Sequence, residues 1–213
     1  MEQFWKGNHF SVRWNQIPEA ARWRGEWKAL CRLPRNDALR YLFVMHHKSA
    51  DGDLGNLDVP AQLTYLELLS SNARNIGVLP AGLRRLELRR CVKLETAQGL
   101  AASCPELRHL HLKTSRKFQD LSSLFKLKRL EVLCLNGCGD LPDLKFLARF
   151  PRLRDFRFVD TNVLDGDLSP LLSLPKLESI GTMDKRHYSH TTAEIMAALA
   201  AKPKDRSSRR GKR

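Results

Sequence analysis

From Leu121 onward an apolar residue returns at every third position: Leu124, Leu127, Leu130 and Leu133, then Leu135 after a step of two. The cadence restarts at Cys138 and runs through Leu141, Leu144, Leu147, Phe150, Leu153 and Phe156 to Phe158. Neither the 3.6-residue period of an α-helix nor the strict alternation of a strand produces this spacing. A period of three belongs to 3₁₀ turns, whose side chains eclipse at i and i+3. The closing Leu-x-Leu predicts a short strand showing two residues to one face. The pattern therefore predicts a 3₁₀ or irregular arc followed by a short strand, repeated at a fixed length.

With Leu-x-x-Leu-x-Leu as the frame, units begin at Leu39, Leu63, Leu83, Leu107, Leu130, Leu153 and Leu177, at spacings of 24, 20, 24, 23, 23 and 24 residues. The last is degraded to Leu177, Ile180 and Thr182. On these residues the chain resembles the leucine-rich repeat family. The run Leu168, Leu171, Leu174, Leu177, Ile180 looks most like its bacterial internalin or SDS22-like branch. The segments Val59-Pro60-Ala61-Gln62-Leu63 and Leu79-Pro80-Ala81-Gly82-Leu83 are similar to the Leu-Pro-x-x-Leu opening of bacterial effector repeats. The resemblance covers about residues 39–183. It implies an α/β solenoid of about seven repeats, with a curved parallel β-sheet on the concave face and 3₁₀, irregular or short helical structure on the convex side.

Four segments are expected: an N-terminal tryptophan-rich cap (1–37), the repeats (38–183), a C-terminal cap with a short helix (184–201) and a disordered basic tail (202–213). Residues 1–37 hold all four tryptophans, Trp5, Trp14, Trp23 and Trp27. Pro18 and Glu19 suit a helix start, which would put Trp23, Trp27 and Leu30 on one helical face. A solenoid's open end needs covering; the alternative is that the tryptophans form a second binding site. Thr191-Thr192-Ala193-Glu194 reads as a capping box ahead of Ile195, Met196 and Leu199. The tail carries seven basic residues against one acidic and no hydrophobic ones, a disordered composition.

Counting each first leucine as position one, positions one, four and six point inward. Position nine is held by His47, Ser71, Cys91, Ser115, Cys138 and Thr161, polar or thiol side chains suited to bonding the loop of their own turn. Positions three, five and seven point to the concave face. There the first two strands present Tyr41, Phe43, Met45, Tyr65 and Leu69, and the next two Arg85, Arg89, His109, His111 and Lys113, with Arg157 further along. Arg84, Arg90 and Arg108 flank them. Aromatic anchors beside arginines have the composition of a protein-binding hot spot, so these eleven residues are the expected partner-binding set. Two competing fates are burial of the aromatics under the N-terminal segment and pairing of the arginines with Glu67 and Glu87. The balance favours a surplus of positive potential and hence an acidic partner surface. His109 and His111, on one side of a strand, are expected as a surface pair and not a metal site.

The formal net charge is +14, of which the tail supplies +6. No nucleic-acid motif is recognised, so polyanion or RNA binding by the basic face and tail is the alternative to a protein partner. Five cysteines without paired spacing favour reduced thiols and a cytoplasmic address. No stretch is long enough for a membrane span, and the N-terminus lacks signal-peptide order. No phosphate loop, His-Glu-x-x-His or Gly-x-Ser-x-Gly appears, and the chain ends before the catalytic domain that effector ligases carry. Asp51-Gly52-Asp53 and Asp165-Gly166-Asp167 suggest turns more than calcium. The expectation is a monomeric, non-enzymatic protein-binding module without metal or cofactor. The small bacterial proteins it looks like imply a toxin or effector as partner, in an immunity or antitoxin role.

Overall fold

The computed structural model describes residues 12–33, 36–55 and 57–202. Eight parallel strands pair in chain order: β1 (Arg22–Glu26), β2 (Tyr41–His47), β3 (Tyr65–Ser71), β4 (Arg85–Arg89), β5 (His109–Lys113), β6 (Val132–Asn136), β7 (Asp155–Arg157) and β8 (Ser179–Gly181). The register is uniform. Leu42, Leu66, Leu86, Leu110, Leu133, Phe156 and Ile180 stand opposite one another across β2–β8. This is an α/β leucine-rich repeat solenoid. Its core is the ladder of inward residues, with Leu63, Leu83, Leu107 and Leu130 all fully buried.

The threefold apolar cadence folds as expected into 3₁₀ turns at Leu121–Leu124, Lys145–Arg149 and Ser169–Ser173, each burying one central leucine, Leu124, Leu147 or Leu171. A 20-residue second unit is too short for such a turn, and the third carries one α-helical turn, α1 (Leu100–Ser103). Leaving the strand, the chain takes the left-handed conformation at position eight of successive coils: His46, Ser70, Arg90, Thr114, Gly137 and Asp160 have φ between 54° and 67°. The N–H groups of Arg90, Thr114 and Gly137 each donate to a carbonyl of the next coil at 2.8 Å, those of Lys113, Asn136 and Val159. That bond holds Arg90 and Thr114, two of the five non-glycine residues in this conformation, in a region costing roughly 1–2 kcal/mol per side chain.

The N-terminal segment differs from the expectation. In place of a helix, Arg22–Glu26 adds a strand in register with β2, and a 3₁₀ turn follows at Trp27–Arg32. An eighth, degenerate coil therefore precedes Leu39. Trp23 stands opposite Leu42 and folds its indole over Gly25, where a Cβ would come within 2.6 Å of the ring. One large ring and a bare backbone occupy the space of two leucines, which hides the repeat from a leucine frame. Trp23, Trp27, Leu30 and Leu33 pack against the main core. Trp5 and residues 203–213 lie outside the described residues.

At the other end, α2 (Thr192–Ala201) starts in the expected capping box, with Thr191 accepting from the Glu194 N–H and Glu194 accepting from the Thr191 N–H. Ile195 and Leu199 are buried, against the turn at Ser169–Ser173 and β8. The approach to α2 docks on Asp165-Gly166-Asp167. Ser189 N–H donates to Gly166 O at 2.8 Å, and a Cβ on Gly166 would come within 2.2 Å of His187 O. Both Asp-Gly-Asp segments are turns: Asp51 and Asp165 accept from the N–H groups of Asp53 and Asp167, each at 3.0 Å.

Candidate functional site: the concave face

Register places the outward side chains in three rows across the sheet. The position-three row runs Tyr41, Tyr65, Arg85, His109, Val132, Asp155, Ser179. The position-five row runs Phe43, Glu67, Glu87, His111, Cys134, Arg157, Gly181. The position-seven row begins Met45, Leu69, Arg89, Lys113, Asn136. Adjacent members are about 4.8 Å apart along the backbone.

The first row does not face water. Tyr41 and Tyr65 are fully buried, with Val12, Ile17, Trp14 and Ala21 over them. Phe43 is buried too, edge-on to Trp14 at 6.4 Å and under the Arg24 guanidinium at 4.6 Å. Arg22 ties this cover down by donating to Trp14 O at 2.5 Å. The expected open aromatic patch is thus covered by residues 12–21 and capped at its edge by β1. Alternation along a strand says which way a ring points but not what lies over it.

The centre of the face is a buried, charge-compensated network. Arg85 and Glu87, both 0% exposed, pair through Nε–H (2.8 Å) and Nη2 (2.7 Å) to one carboxylate oxygen. Arg89 pairs with Glu67, whose other oxygen accepts from the Tyr65 hydroxyl at 2.7 Å. Burial, and after it the charge of Glu87, push the Tyr65 phenol well up in pKa. Arg157 donates to Asp155 through Nη2 at 3.1 Å, its side chain lying across Gly181, where a Cβ would fall 2.9 Å from Nη1. Three guanidiniums thus meet three carboxylates.

His109 and His111 are buried, not a surface pair, and their rings stack at 6.2 Å. Burial first, then Arg85 and Arg108, hold His109 down to about 3. Burial and the same Arg85 hold His111 well below its usual value. Both are neutral at pH 7, so the expected surplus of positive potential does not arise at the centre of the face. Among the described residues no three His, Cys, Asp or Glu side chains form a metal-ligating group.

These histidines set a pH dependence. A histidine with a lowered folded pKa takes up a proton in the unfolded chain first, so its stabilising contribution is complete above 6.5 and is lost as pH falls toward the folded value. For His109, unfolded near 6.5 and folded near 3, the loss at pH 5 is about 2 kcal/mol. Urea unfolding at pH 7.5 and 5.0 should show at least that decrease, and His109→Gln should reduce it.

Four of the thiols, Cys91, Cys104, Cys134 and Cys138, are buried, and Cys31 is exposed. Burial pushes Cys91 and Cys138, at position nine, up to about 12, and raises Cys134 further. At position nine Ser71 makes the expected bond to its own loop, accepting from Ala73 N–H at 3.1 Å, whereas Thr161 donates to Leu135 O on the strand of the preceding coil at 2.5 Å.

What remains accessible is the third row, apart from Asn136, which is buried. Met45, Leu69 and Arg89 are half-buried and Lys113 is exposed, with Val159 half-buried and Met183 55% exposed at positions continuing the row. Arg157 is also partly exposed. Of the eleven expected contact residues, Tyr41, Phe43, Tyr65, Arg85, His109 and His111 are buried, while Met45, Leu69, Arg89, Lys113 and Arg157 reach the surface. Asp155, outside the expected contact set, balances Arg157 through the Asp-x-Arg spacing in β7.

No known family profile matches the chain, and no curated protein matches it. Among solved structures it is similar to an internalin, InlF, from Listeria monocytogenes, at 13% identity and a TM-score of 0.34, over 70% of this chain. The chain spans 64% of that protein's length. At that identity and overlap the likeness adds nothing to the functional argument.

Proposed function

We propose that the chain is a non-enzymatic binding module for a protein with an acidic surface, which it meets along the position-seven row. The observation that supports this is the row itself: two half-exposed apolar side chains, Met45 and Leu69, pass directly into Arg89 and the exposed Lys113. Exposed Arg90, Arg116 and Lys117 extend the positive charge beyond the strand ends. An apolar anchor beside guanidinium and ammonium groups suits an acidic partner, with charge steering the encounter and the apolar part slowing release. The resemblance to bacterial repeat proteins narrows this to a toxin or effector as partner, in an immunity or antitoxin role within the cytoplasm, the protein acting as a monomer.

The variant that tests this is Leu69→Glu with Lys113→Glu; Arg89 is left in place because its charge holds Glu67. Against a partner purified from the native cell, the double variant should weaken binding by more than about 2 kcal/mol without lowering the melting temperature. Association should slow most at low salt. Unchanged affinity would contradict the proposed surface.

A further inference from the structure

A second charged surface lies on the opposite edge of the strands, where the 3₁₀ turns lead back into the sheet. Arg129, Arg152 and Lys176 each immediately precede a buried leucine, Leu130, Leu153 or Leu177. They therefore occupy one repeat position and form a column with one exposed cation on each of three coils, stepped by about 4.8 Å, with Glu106 at the same position of the preceding coil. Lys126 and Arg149 share another position, four residues before Leu130 and Leu153, and begin a second column beside it. Arg129 pairs with Glu106. Lys126, Lys128, Lys145, Arg149, Arg152 and Lys176 are exposed and have no ion-pair partner among the described residues.

On this edge cations outnumber acids: Glu106 and Glu178 pair with Arg129 and Arg154, and Glu131 lies 4.0 Å from Arg108, which leaves the six unpaired cations in surplus. Like charges stacked coil upon coil repel and bring the fold no benefit of their own. Two contacts nevertheless hold the columns together. Lys128 Nζ donates to Arg149 O on the next coil at 3.1 Å, and the Arg149 guanidinium lies 5.6 Å over the half-buried Phe125 ring. A guanidinium placed over a ring offers a plane on which a base can stack.

We propose that this outer face, built on the turns at Leu121–Leu124, Lys145–Arg149 and Ser169–Ser173, is a binding site for single-stranded nucleic acid. A flexible polyanion can fit its phosphates to a cation column rising one step per coil. A bilayer surface is a poorer fit, because among the described residues the large exposed apolar side chains, Val78, Val92, Leu164 and Met183, lie away from these columns and so cannot enter lipid there. The site is independent of the position-seven row, on the other edge of the sheet.

The test is fluorescence anisotropy of the full chain with a fluorescein-labelled mixed-sequence 12-nucleotide RNA at 50, 100 and 200 mM KCl. About four contacted phosphates give a slope near −3 in log K against log salt for a single strand. Lys126→Glu/Arg149→Glu/Arg152→Glu should weaken binding at least tenfold with an unchanged melting temperature. Should that variant unfold, Lys126→Gln/Arg152→Gln/Lys176→Gln should still weaken binding at least threefold. Leu69→Glu/Lys113→Glu should leave RNA affinity intact, which separates this site from the proposed protein contact. Arg206→Glu/Arg209→Glu/Arg210→Glu should retain most of it. The proposal is overturned by no binding at 50 mM KCl, by loss only in the Arg206/Arg209/Arg210 variant, by insensitivity to the outer-face substitutions, or by phosphatidylserine vesicles that compete fully with the RNA.

Discussion

Arg85→Ala is expected to destabilise the protein by about 3–5 kcal/mol, the cost of leaving one partner of a buried ion pair uncompensated. The side chain is 0% exposed, and both its Nε and Nη2 reach Glu87 Oε1. Its guanidinium also lies 5.9 Å over the Tyr65 ring. Truncation therefore strands a carboxylate in the middle of the face and opens a cavity beside it. Replacing both partners, as Arg85→Met with Glu87→Met, should recover most of the loss, because the pair's mutual attraction mainly repays its own desolvation. Urea unfolding of the two single variants and the double variant measures this coupling. A single Arg85→Ala variant within about 1 kcal/mol of wild type would mean that the network is open to water.

Leu133→Ala should cost about 2–5 kcal/mol, from lost burial plus the cavity left behind. Leu133 is fully buried at an interior rung of the ladder, flanked by Leu110 on β5 and Phe156 on β7. In a solenoid each coil touches only its neighbours, so a weakened interior rung should uncouple the coils on either side of it energetically. Hydrogen exchange should speed up in β5–β7 before it does so in β2 and β3. A variant that melts at the wild-type temperature would contradict the assigned frame.

The ladder was legible because inward positions obey a rigid period. Leu-x-x-Leu-x-Leu at 20–24-residue spacing leaves one way to bury every leucine, and the position-nine residues and the Thr191 capping box follow from local rules. The first coil was not legible, since Trp23 over Gly25 replaces the leucine pair. Most of the concave face was misread for a different reason. Facing outward from a sheet was equated with facing water, yet Tyr41 and Tyr65 lie under Val12, Trp14 and Ile17. The charge pairing had a signal in the sequence: Arg85-x-Glu87 and Asp155-x-Arg157 place opposite charges on one side of a strand, and Glu67 faces β4 one step from Arg89. Surplus counted over a whole face conceals such pairs.

The central claim is that the aromatic and histidine members of the first two rows are sealed and their charges paired, while the position-seven row meets the partner. Hydroxyl-radical footprinting of the free protein with mass-spectrometric readout tests this without any partner. Met45 and Met183 should oxidise readily under native conditions, with half-buried Tyr188 intermediate. Tyr41 and Tyr65 should stay unmodified until urea unfolds the chain. Oxidation of Tyr41 and Tyr65 at rates comparable to Met45 in the folded protein would contradict the account and restore the aromatic row as a binding surface.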